Sequence, residues 1–407
     1  MSTTKKSKTW IKPRHRVVKA IVKWPIALYC KLHYHLRWTV FDNPEHRQFF
    51  ILTNHQTPFD QFFTGIVFKD PIYYVATEDI FSIGAVSRII EYVVAPIPFR
   101  KGSSSDMTSI RSMVQVASEG GSIALCPEGN RTYSGVTESI KPSVAKMVKL
   151  LKLPVLIIKF EGGFGIEPRW ADDARKGKMY AHATTIIEPE EYKRMSNEDF
   201  AALISRELYQ DDAELNQLFD SNKRAEYVER LLYYCPHCGF SSFKSEGNSA
   251  HCCKCNRSFT YMPDLTLKYE NNDFPYTYLK EWYRAQESFI KSVDPASYTS
   301  EDVLYTDSVD LYKVHVYQKK EVLSEGILMT MTGDGITFKA DGLTLDFPFE
   351  KITSMSILGH NKIGFYSDNI LYQIKGETRF NAIKYVHYYY HYMNVRNGES
   401  DDEFLGL

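Results

Sequence analysis

Short apolar runs alternate with helical patterns between residues 47 and 190. The runs that indicate strands are Phe49–Thr53, Pro71–Ala76, Ile97–Phe99, Ser122–Cys126, Pro154–Phe160 and Met179–Ile187. Apolar residues at helical spacing lie between them, as in 106–119 and 143–151, and a more polar helical stretch follows over 197–234. Strands separated by helices predict an α/β domain, which we place at residues 41–234.

The last hundred residues have a different pattern, in which short strands are separated by Gly, Asp and Asn turns. The predicted strands are Ile327–Thr332, Ile336–Lys339, Leu343–Phe347, Ile352–Ile357, Lys362–Ser367 and Ile370–Ile374. One amphipathic helix, Asn381–Asn394, follows them. At the level of pattern this region, 301–396, resembles a small PH- or GRAM-type β-barrel capped by a helix, and we expect an accessory domain. A helical linker over 262–300, with an aromatic helix at Tyr276–Val293, and a disordered tail over 397–407 complete the predicted organisation.

The N-terminal segment, residues 1–40, is basic and amphipathic. Residues 1–41 contain ten Lys and Arg and no Asp or Glu, although the whole chain has a net charge of -1. Between Pro13 and Leu36 the pattern predicts a helix interrupted at Pro25. Its basic side carries Arg16, Lys19 and Lys23, and its apolar side carries Val17, Val18, Ile21, Val22 and Trp24. Such a helix suits a membrane phospholipid surface, and an ordinary surface helix packed on the domain fits the pattern equally well. The basic arm could also be a solvated tail without a partner.

Composition excludes a disordered chain, because hydrophobic residues make up 43% of the 407 residues, enough for more than one core. No window reaches the roughly 18 uncharged apolar residues of a transmembrane helix. The apolar stretch Trp24–Cys30 contains Pro25 and lacks the cleavage site of a secretory signal peptide. We therefore expect a peripheral protein at the cytoplasmic face of a membrane, with no signal peptide or transmembrane helix.

Four of the seven cysteines form two Cys-x-x-Cys pairs within residues 235–261. The pairs are Cys235 with Cys238 and Cys252 with Cys255. Two such pairs at this separation predict a zinc ribbon in which four thiolates hold one zinc ion, and four protein ligands leave no open position, so the zinc is structural. Cys253, His237 and His251 are alternative ligands. A redox dithiol is the competing interpretation.

Residues 54–60 read Asn-His-Gln-Thr-Pro-Phe-Asp and follow a predicted strand. A histidine whose one ring nitrogen is held by Asp60 presents its other nitrogen as a base, and no nucleophilic serine is needed if the substrate brings the hydroxyl. His55 and Asp60 are thus candidate catalytic residues. A His and an Asp in a turn can also do no more than cap a helix.

Residues 126–131 read Cys-Pro-Glu-Gly-Asn-Arg and follow another predicted strand. An arginine beside exposed backbone amides at a strand end is a natural phosphate receptor. By itself the hexapeptide is better explained by a structural pair of Glu128 and Arg131.

The order and spacing of four segments resemble the motif blocks of the glycerol-3-phosphate and 1-acylglycerol-3-phosphate acyltransferase family. The segments are Asn54–Asp60, Ile97–Arg100, Pro127–Arg131 and Leu153–Ile157. The resemblance covers about residues 45–190 and implies a glycerolipid acyltransferase-type αβ domain. Asn130 stands where the family usually has Thr, and the second block ends Arg-Lys-Gly after Phe99 rather than Asp-Arg.

The resemblance implies a single-step acyl transfer with His55 as general base and Asp60 as its orienting partner. The substrate-binding residues that it implies are Asn54, Arg100, Glu128, Gly129, Asn130 and Arg131. The donor would be acyl-CoA or acyl carrier protein, with no other organic cofactor, and the acceptor a lysophospholipid such as 1-acylglycerol-3-phosphate.

Two other classes of function compete with the enzyme. The first is a catalytically silent lipid-binding adaptor on the same fold, against which the intact His55 and Asp60 argue. The second is nucleic-acid binding through the ribbon, but Lys244, Lys254 and Arg257 provide little basic excess there. We therefore expect a phospholipid surface and an acyl carrier as partners, and no nucleic acid.

Overall fold

The computed structural model describes residues 9–77, 80, 81, 85–99, 107–270, 274–315, 318–340, 342–399 and 405. The helices are α1 (Pro13–His33), α2 (Asp60–Val67), α3 (Ala85–Val93), α4 (Met107–Ser118), α5 (Pro142–Leu151), α6 (Gly163–Ile166), α7 (Pro189–Tyr192), α8 (Asn197–Leu208), α9 (Leu279–Ser292) and α10 (Ile383–Asn397). The strands are β1 (Leu36–Trp38), β2 (Phe50–Thr53), β3 (Ile72–Thr77), β4 (Ile97–Phe99), β5 (Ser122–Leu125), β6 (Val155–Glu161), β7 (Met179–Ile187), β8 (Tyr234–Cys235), β9 (Gly239–Phe240), β10 (Phe243–Glu246), β11 (Ser249–Cys252), β12 (Ser258–Tyr261), β13 (Leu267–Lys268), β14 (Val303–Val314), β15 (Glu321–Thr332), β16 (Gly335–Ala340), β17 (Leu343–Pro348), β18 (Ile352–Leu358), β19 (Lys362–Ser367) and β20 (Ile370–Gly376).

Seven strands of the first domain form one sheet in the order β1-β7-β6-β2-β5-β3-β4. All neighbours are parallel except β6 and β7, which are antiparallel. The six strands predicted over residues 47–190 are confirmed to within one residue at each end. β2 lies centrally and all four of its residues are buried, because helices cover both faces of the sheet.

The two faces of this sheet carry separate apolar clusters. On one face Ala27 and Cys30 of α1 pack with Phe63 and Ile66 of α2. On the other face α4, α5 and α8 pack together through buried residues such as Val148. This layered arrangement is the α/β architecture that the sequence predicts.

The first helix runs from Pro13 to His33 without a break at Pro25. The predicted interruption is therefore wrong. Pro25 is exposed, so solvent can satisfy the carbonyl that loses its intrahelical partner there. Within the described residues, no helix has both the length and the apolar character required to cross a bilayer.

The polar stretch 197–234 is not one helix as predicted. α8 ends at Leu208, and after it the chain is irregular apart from short 3₁₀ turns at Asp212–Glu214 and Val228–Arg230. Much of the later segment is buried, with Phe219 and Leu231 in the core. Tertiary packing thus overrides a helical pattern of only moderate strength.

The cysteine-rich segment forms small antiparallel sheets, with β8 paired to β9 and β10 to β13 in sequence order. The aromatic helix predicted in the linker is α9. One face of this helix is buried: Trp282 packs against Phe243 and Phe259 of the cysteine-rich segment, and the Tyr283 hydroxyl lies 3.3 Å from Nε2 of His387 in α10.

The C-terminal strands form a second seven-stranded sheet, in the order β17-β16-β15-β14-β20-β19-β18 with every pair antiparallel. β14, over Val303–Val314, was not predicted, because Asp307, Asp310 and Lys313 interrupt its apolar alternation. α10 packs on this sheet through Tyr389, whose hydroxyl donates to Ile352 O at 2.7 Å. The architecture is compatible with the expected capped barrel, and the PH- or GRAM-type identity stays a prediction. The predicted tail, 397–407, lies mostly outside the described residues.

Candidate active site

Two neighbouring parallel strands bring the first and third sequence blocks together. β2 pairs with β5, so the loops that follow them leave the same edge of the sheet. Residues 54–59 form one loop, which ends at Asp60, the first residue of α2, and residues 126–131 form the other. The backbone N–H of Thr132 donates to the carbonyl of His55 at 2.9 Å and joins the two loops directly.

His55 of the first loop and Asp60 at the start of α2 form a hydrogen-bonded pair. Their Nδ1 and Oδ2 atoms are 2.7 Å apart, and Asp60 is fully buried while 24% of the His55 side chain is exposed. The Asp60 carboxylate also accepts from the backbone N–H groups of Gln56 and Thr57 and from the Thr57 hydroxyl. A carboxylate surrounded by donors acts as an acceptor, so Nδ1 of His55 carries the proton and Nε2 has the free lone pair. Nε2 makes no hydrogen bond to a described residue.

The surroundings of His55 favour the neutral imidazole. Burial lowers the pKa of His55 below its usual 6.5; the hydrogen bond and charge of Asp60 oppose this, and the positive charges of Arg131 and Arg169 add to it. A neutral imidazole held at one nitrogen can accept a proton at the other at neutral pH.

Glu128 connects the two loops through backbone contacts. Its Oε1 accepts from the backbone N–H of His55 at 2.8 Å, and its Oε2 accepts from the backbone N–H of Glu138 at 2.8 Å. Burial raises the pKa of Glu128 well above its usual value, and the charges of Glu138 and Asp60 add to the rise. Both oxygens are thus engaged within the protein, so in this structure Glu128 positions His55.

Arg131 is a buried cation without a partner. Its side chain makes no hydrogen bond or ion pair to any described residue, and Nη1 is buried and unsatisfied. Burial and the charge of Arg169 lower its pKa, while the negative charges of Glu167 and Asp60 oppose this. A guanidinium in this state gains from any anion that reaches it.

The other predicted substrate-binding residues differ in what they do. The Asn54 side chain donates from Nδ2 to the carbonyl of Phe160 and accepts at Oδ1 from the backbone N–H of Phe160, both at 2.8 Å. These two hydrogen bonds fix the end of β2 to β6. Gly129 has φ +75, a left-handed conformation that favours glycine, and Asn130 is buried. Arg100 lies outside the described residues.

Three residues near the pair were not predicted. The Arg169 guanidinium lies 4.5 Å from the ring centre of Tyr133 and donates to Arg131 O at 3.0 Å. The Tyr34 hydroxyl donates to Glu167 at 2.5 Å. Arg169 and Glu167 come from an irregular segment after α6, and Tyr34 from the end of α1. No local motif marks them, because only the tertiary fold brings them to the site.

The C-terminal sheet also reaches this region. The second η-nitrogen of Arg169 donates to Ile357 O, in β18, at 2.8 Å. His360, in the turn after β18, lies 2.7 Å from Asp172. Burial lowers the pKa of His360 and the charges of Arg131 and Arg230 add to this, against the Asp172 hydrogen bond. The turn is therefore near enough to Arg131 for their charges to interact.

The four ribbon cysteines predicted as metal ligands lie together. The Sγ atoms of Cys235, Cys238, Cys252 and Cys255 are all within 4.8 Å of one another. Two of the separations are 3.8 and 4.0 Å, close to the roughly 3.8 Å that a tetrahedron with 2.3 Å zinc–sulfur bonds requires. Cys253 is exposed and does not belong to this cluster, and neither do His237 and His251. The donor set fits a structural zinc ion.

The sheet and its paired loops belong to one α/β domain. Residues 40–160, less than a third of the chain, match the family model described as Acyltransferase. No curated protein sequence matches the chain.

Among solved structures, the chain is similar to the 1-acyl-sn-glycerophosphate (LPA) acyltransferase PlsC from Thermotoga maritima. The sequences are 17% identical, the match covers 48% of this chain and 80% of that chain, and the TM-score is 0.39.

Proposed function

We propose that this protein transfers a fatty acyl group from a thioester carrier to the hydroxyl of a lysophospholipid-type acceptor. The observation that carries the proposal is the His55–Asp60 pair, with Nε2 free, in a loop joined to the one that holds the unpartnered Arg131. The family match over residues 40–160 supports the same chemistry.

In the proposed reaction Nε2 of His55 takes the proton of the acceptor hydroxyl as its oxygen attacks the thioester carbonyl. A tetrahedral oxyanion forms, the carbon–sulfur bond then breaks, and the imidazolium returns its proton to the leaving thiolate. The products are the acylated lipid and a free thiol. Asp60 holds the imidazole and stabilises its cationic form.

Arg131 is the proposed receptor for the acceptor's phosphate. An anion would supply the hydrogen bonds that this buried guanidinium lacks. We assign Asn54 and Glu128 to positioning, since their polar atoms are engaged by backbone groups. The acyl carrier, CoA or acyl carrier protein, and the preference for 1-acylglycerol-3-phosphate are parts of the proposal.

We also propose that α1 places the protein peripherally on a phospholipid membrane. Five apolar residues at helical spacing on α1 are exposed: Val17, Ile21, Trp24, Leu28 and Leu32. Tyr29, which is next to Leu28 of this stripe, contacts Phe59 of the His55 loop, with ring centres 5.2 Å apart. A lipid that leaves the membrane along α1 would thus meet the candidate site.

Thiol release by the purified protein tests the proposal, with lysophosphatidate and a long-chain acyl-CoA as substrates. We expect His55→Ala to lower the rate by about 10²–10⁴. If His55→Ala retains activity within a few fold, His55 is not the base. The alternative result is that the wild-type protein binds vesicles and yet releases no thiol from any acyl carrier. That result would identify a catalytically silent lipid-binding adaptor.

A further inference from the structure

A basic recess of about 390 Å³ opens between the first half of α1 and the loop that precedes β3. Four cationic side chains line it: Arg16, Lys19, Lys23 and Lys69. Trp24 also lines it and is 73% exposed. The recess is distinct from the candidate active site, which is built on the loops after β2 and β5.

The positive charge of the recess is not neutralised from within. Asp70 is the acid that lines it, and its carboxylate already accepts from Asn43 Nδ2 at 2.9 Å and lies 2.8 Å from His46 Nδ1. Lys69 is 3.2 Å from Asp42, but both side chains are mostly exposed, so this pair is weak. An excess of cationic groups in a concave surface attracts an anion.

Lys19 lies deepest among these cations. Its Nζ donates to the carbonyl oxygens of Phe68, at 2.6 Å, and Asp70, which hold it in place. Burial lowers the pKa of Lys19 to about 7 and the charge of Lys23 adds to this, against the attraction of Asp70. An anion bound in the recess would offset the repulsion between the two ammonium groups.

The recess adjoins the apolar stripe of α1 that was described above. Ile21, Trp24 and Leu28 of that stripe are 67%, 73% and 59% exposed, and Trp24 belongs to both surfaces. A free phosphate or a nucleic acid backbone has no apolar chain that could cover such a stripe. A phospholipid offers an apolar chain and an anionic phosphate side by side, at the depth where an interfacial helix lies.

We propose that this recess binds the phosphate of an anionic membrane phospholipid while the stripe of α1 enters the acyl-chain boundary. The inference deepens the proposed membrane docking by naming its lipid class, and it rests on that docking but not on catalysis by His55.

Flotation of the full chain with vesicles tests the proposal. One set contains phosphatidylcholine alone, and the other contains phosphatidylcholine with phosphatidylglycerol. We expect tighter binding to the anionic set. The double variant Arg16→Gln/Lys23→Gln should weaken that binding about 30-fold, since each basic group near such a surface contributes roughly fivefold. Its binding to neutral vesicles should not change.

A matched variant separates a built site from a general surface charge. Arg111→Gln/Lys146→Gln removes the same charge from α4 and α5, across the sheet from α1, where both residues are exposed. We expect this variant to bind anionic vesicles within about twofold of the wild type. Equal losses in the two double variants, or equal binding of the wild type to both kinds of vesicle, would overturn the proposal.

Two further measurements identify the occupant and separate this proposal from the catalytic one. Trp24→Ala/Leu28→Ala should weaken binding to both kinds of vesicle, whereas full competition by millimolar inorganic phosphate would point to a free anion instead. His55→Ala should bind vesicles like the wild type. Failure of acyl transfer with intact, charge-dependent vesicle binding would therefore leave this inference standing.

Discussion

At the residue scale, the candidate chemistry depends on how Asp60 holds His55. The carboxylate lies 2.7 Å from Nδ1 and is itself fixed by the backbone of Gln56 and Thr57. Asp60→Asn replaces an acceptor with a group that can present a donor to Nδ1, which favours the wrong tautomer. We expect kcat to fall about 10²–10⁴-fold in the thiol-release assay. A change below tenfold would mean that Asp60 has only a structural role.

The pH dependence of the reaction follows from the same pair. His55 acts as a base only when neutral, and its pKa is below 6.5 in the folded protein. The rate should therefore be constant above neutrality and fall as the pH drops through a value below 6.5. Arg131→Gln removes one positive charge that lowers this pKa, so its acidic limb should lie at higher pH. The pH profile of kcat/KM with an uncharged acceptor, monoacylglycerol, measures the acidic limb of the wild type and that of Arg131→Gln. An acidic limb above pH 6.5 in the wild type would contradict the prediction.

Substitution of Arg131 shows whether this residue binds the acceptor's phosphate or only stabilises the fold. Loss of a charge-assisted hydrogen bond costs about 1.5–3 kcal/mol, so Arg131→Gln should raise KM for lysophosphatidate roughly 10- to 100-fold. The monoacylglycerol reaction should change little. The guanidinium has no partner among the described residues, so Tm should stay the same or rise. A drop in Tm with equal loss on both acceptors would assign Arg131 a structural role.

The sequence predicts the local part of this site and not the rest. His55 and Asp60 are five positions apart, and one strand-end loop brings them together whatever the distant chain does. Arg131 is also predicted, because its segment follows a predicted strand and resembles a motif block of the acyltransferase family; in the structure that strand is the parallel neighbour of β2. Arg169 belongs to an irregular segment whose path is set by packing, so no pattern predicts that it lies beside Arg131.

At the scale of elements, we expect a zinc ion held by the four-cysteine cluster to stabilise the segment 235–261. Cys252→Ser should remove one of four thiolates and lower the zinc content from about one ion per chain to near zero. Loss of the metal should also lower Tm by roughly 5 °C or more. Cys253→Ser is the matched control, because this neighbour is exposed and outside the cluster. Elemental analysis and thermal unfolding of both variants check the prediction, and equal zinc loss in the two would reject this ligand set.

Strands are predicted accurately where both of their faces are buried, and they are missed where one face is exposed and carries charged residues. The strands of the first sheet are covered on both faces and have continuous apolar runs, so their bounds are predicted closely. β14 is half-exposed and carries charges, and its strand conformation depends on β15 and β20 beside it. The helical pattern after Leu208 gives way to an irregular, buried segment for a similar reason.

At the scale of the whole molecule, the C-terminal part is joined to the first domain by partly buried hydrogen bonds and ion pairs. Arg230 of the first domain donates to both oxygens of Asp172 in the same domain, at 2.6 and 3.0 Å, and also to the carbonyl of Thr378 in the C-terminal part. Arg379 of the C-terminal part forms ion pairs with Glu226 and Glu229 of the first domain. The two parts therefore form a joint surface close to Arg131, and loosening it should affect acceptor binding more than proton transfer.

Arg169 tests this coupling, because its guanidinium donates both to Arg131 O and to Ile357 O. Arg169→Gln should leave one of these carbonyls unpaired, raise KM for lysophosphatidate about tenfold with kcat within about threefold, and speed hydrogen exchange in β18. Arg396→Gln is the control: it breaks an exposed ion pair between α10 and Glu350, in the turn that precedes β18, and should change neither the kinetic constants nor the exchange in β18. If kcat falls while KM and β18 exchange stay constant, Arg169 acts on His55 rather than through the C-terminal sheet.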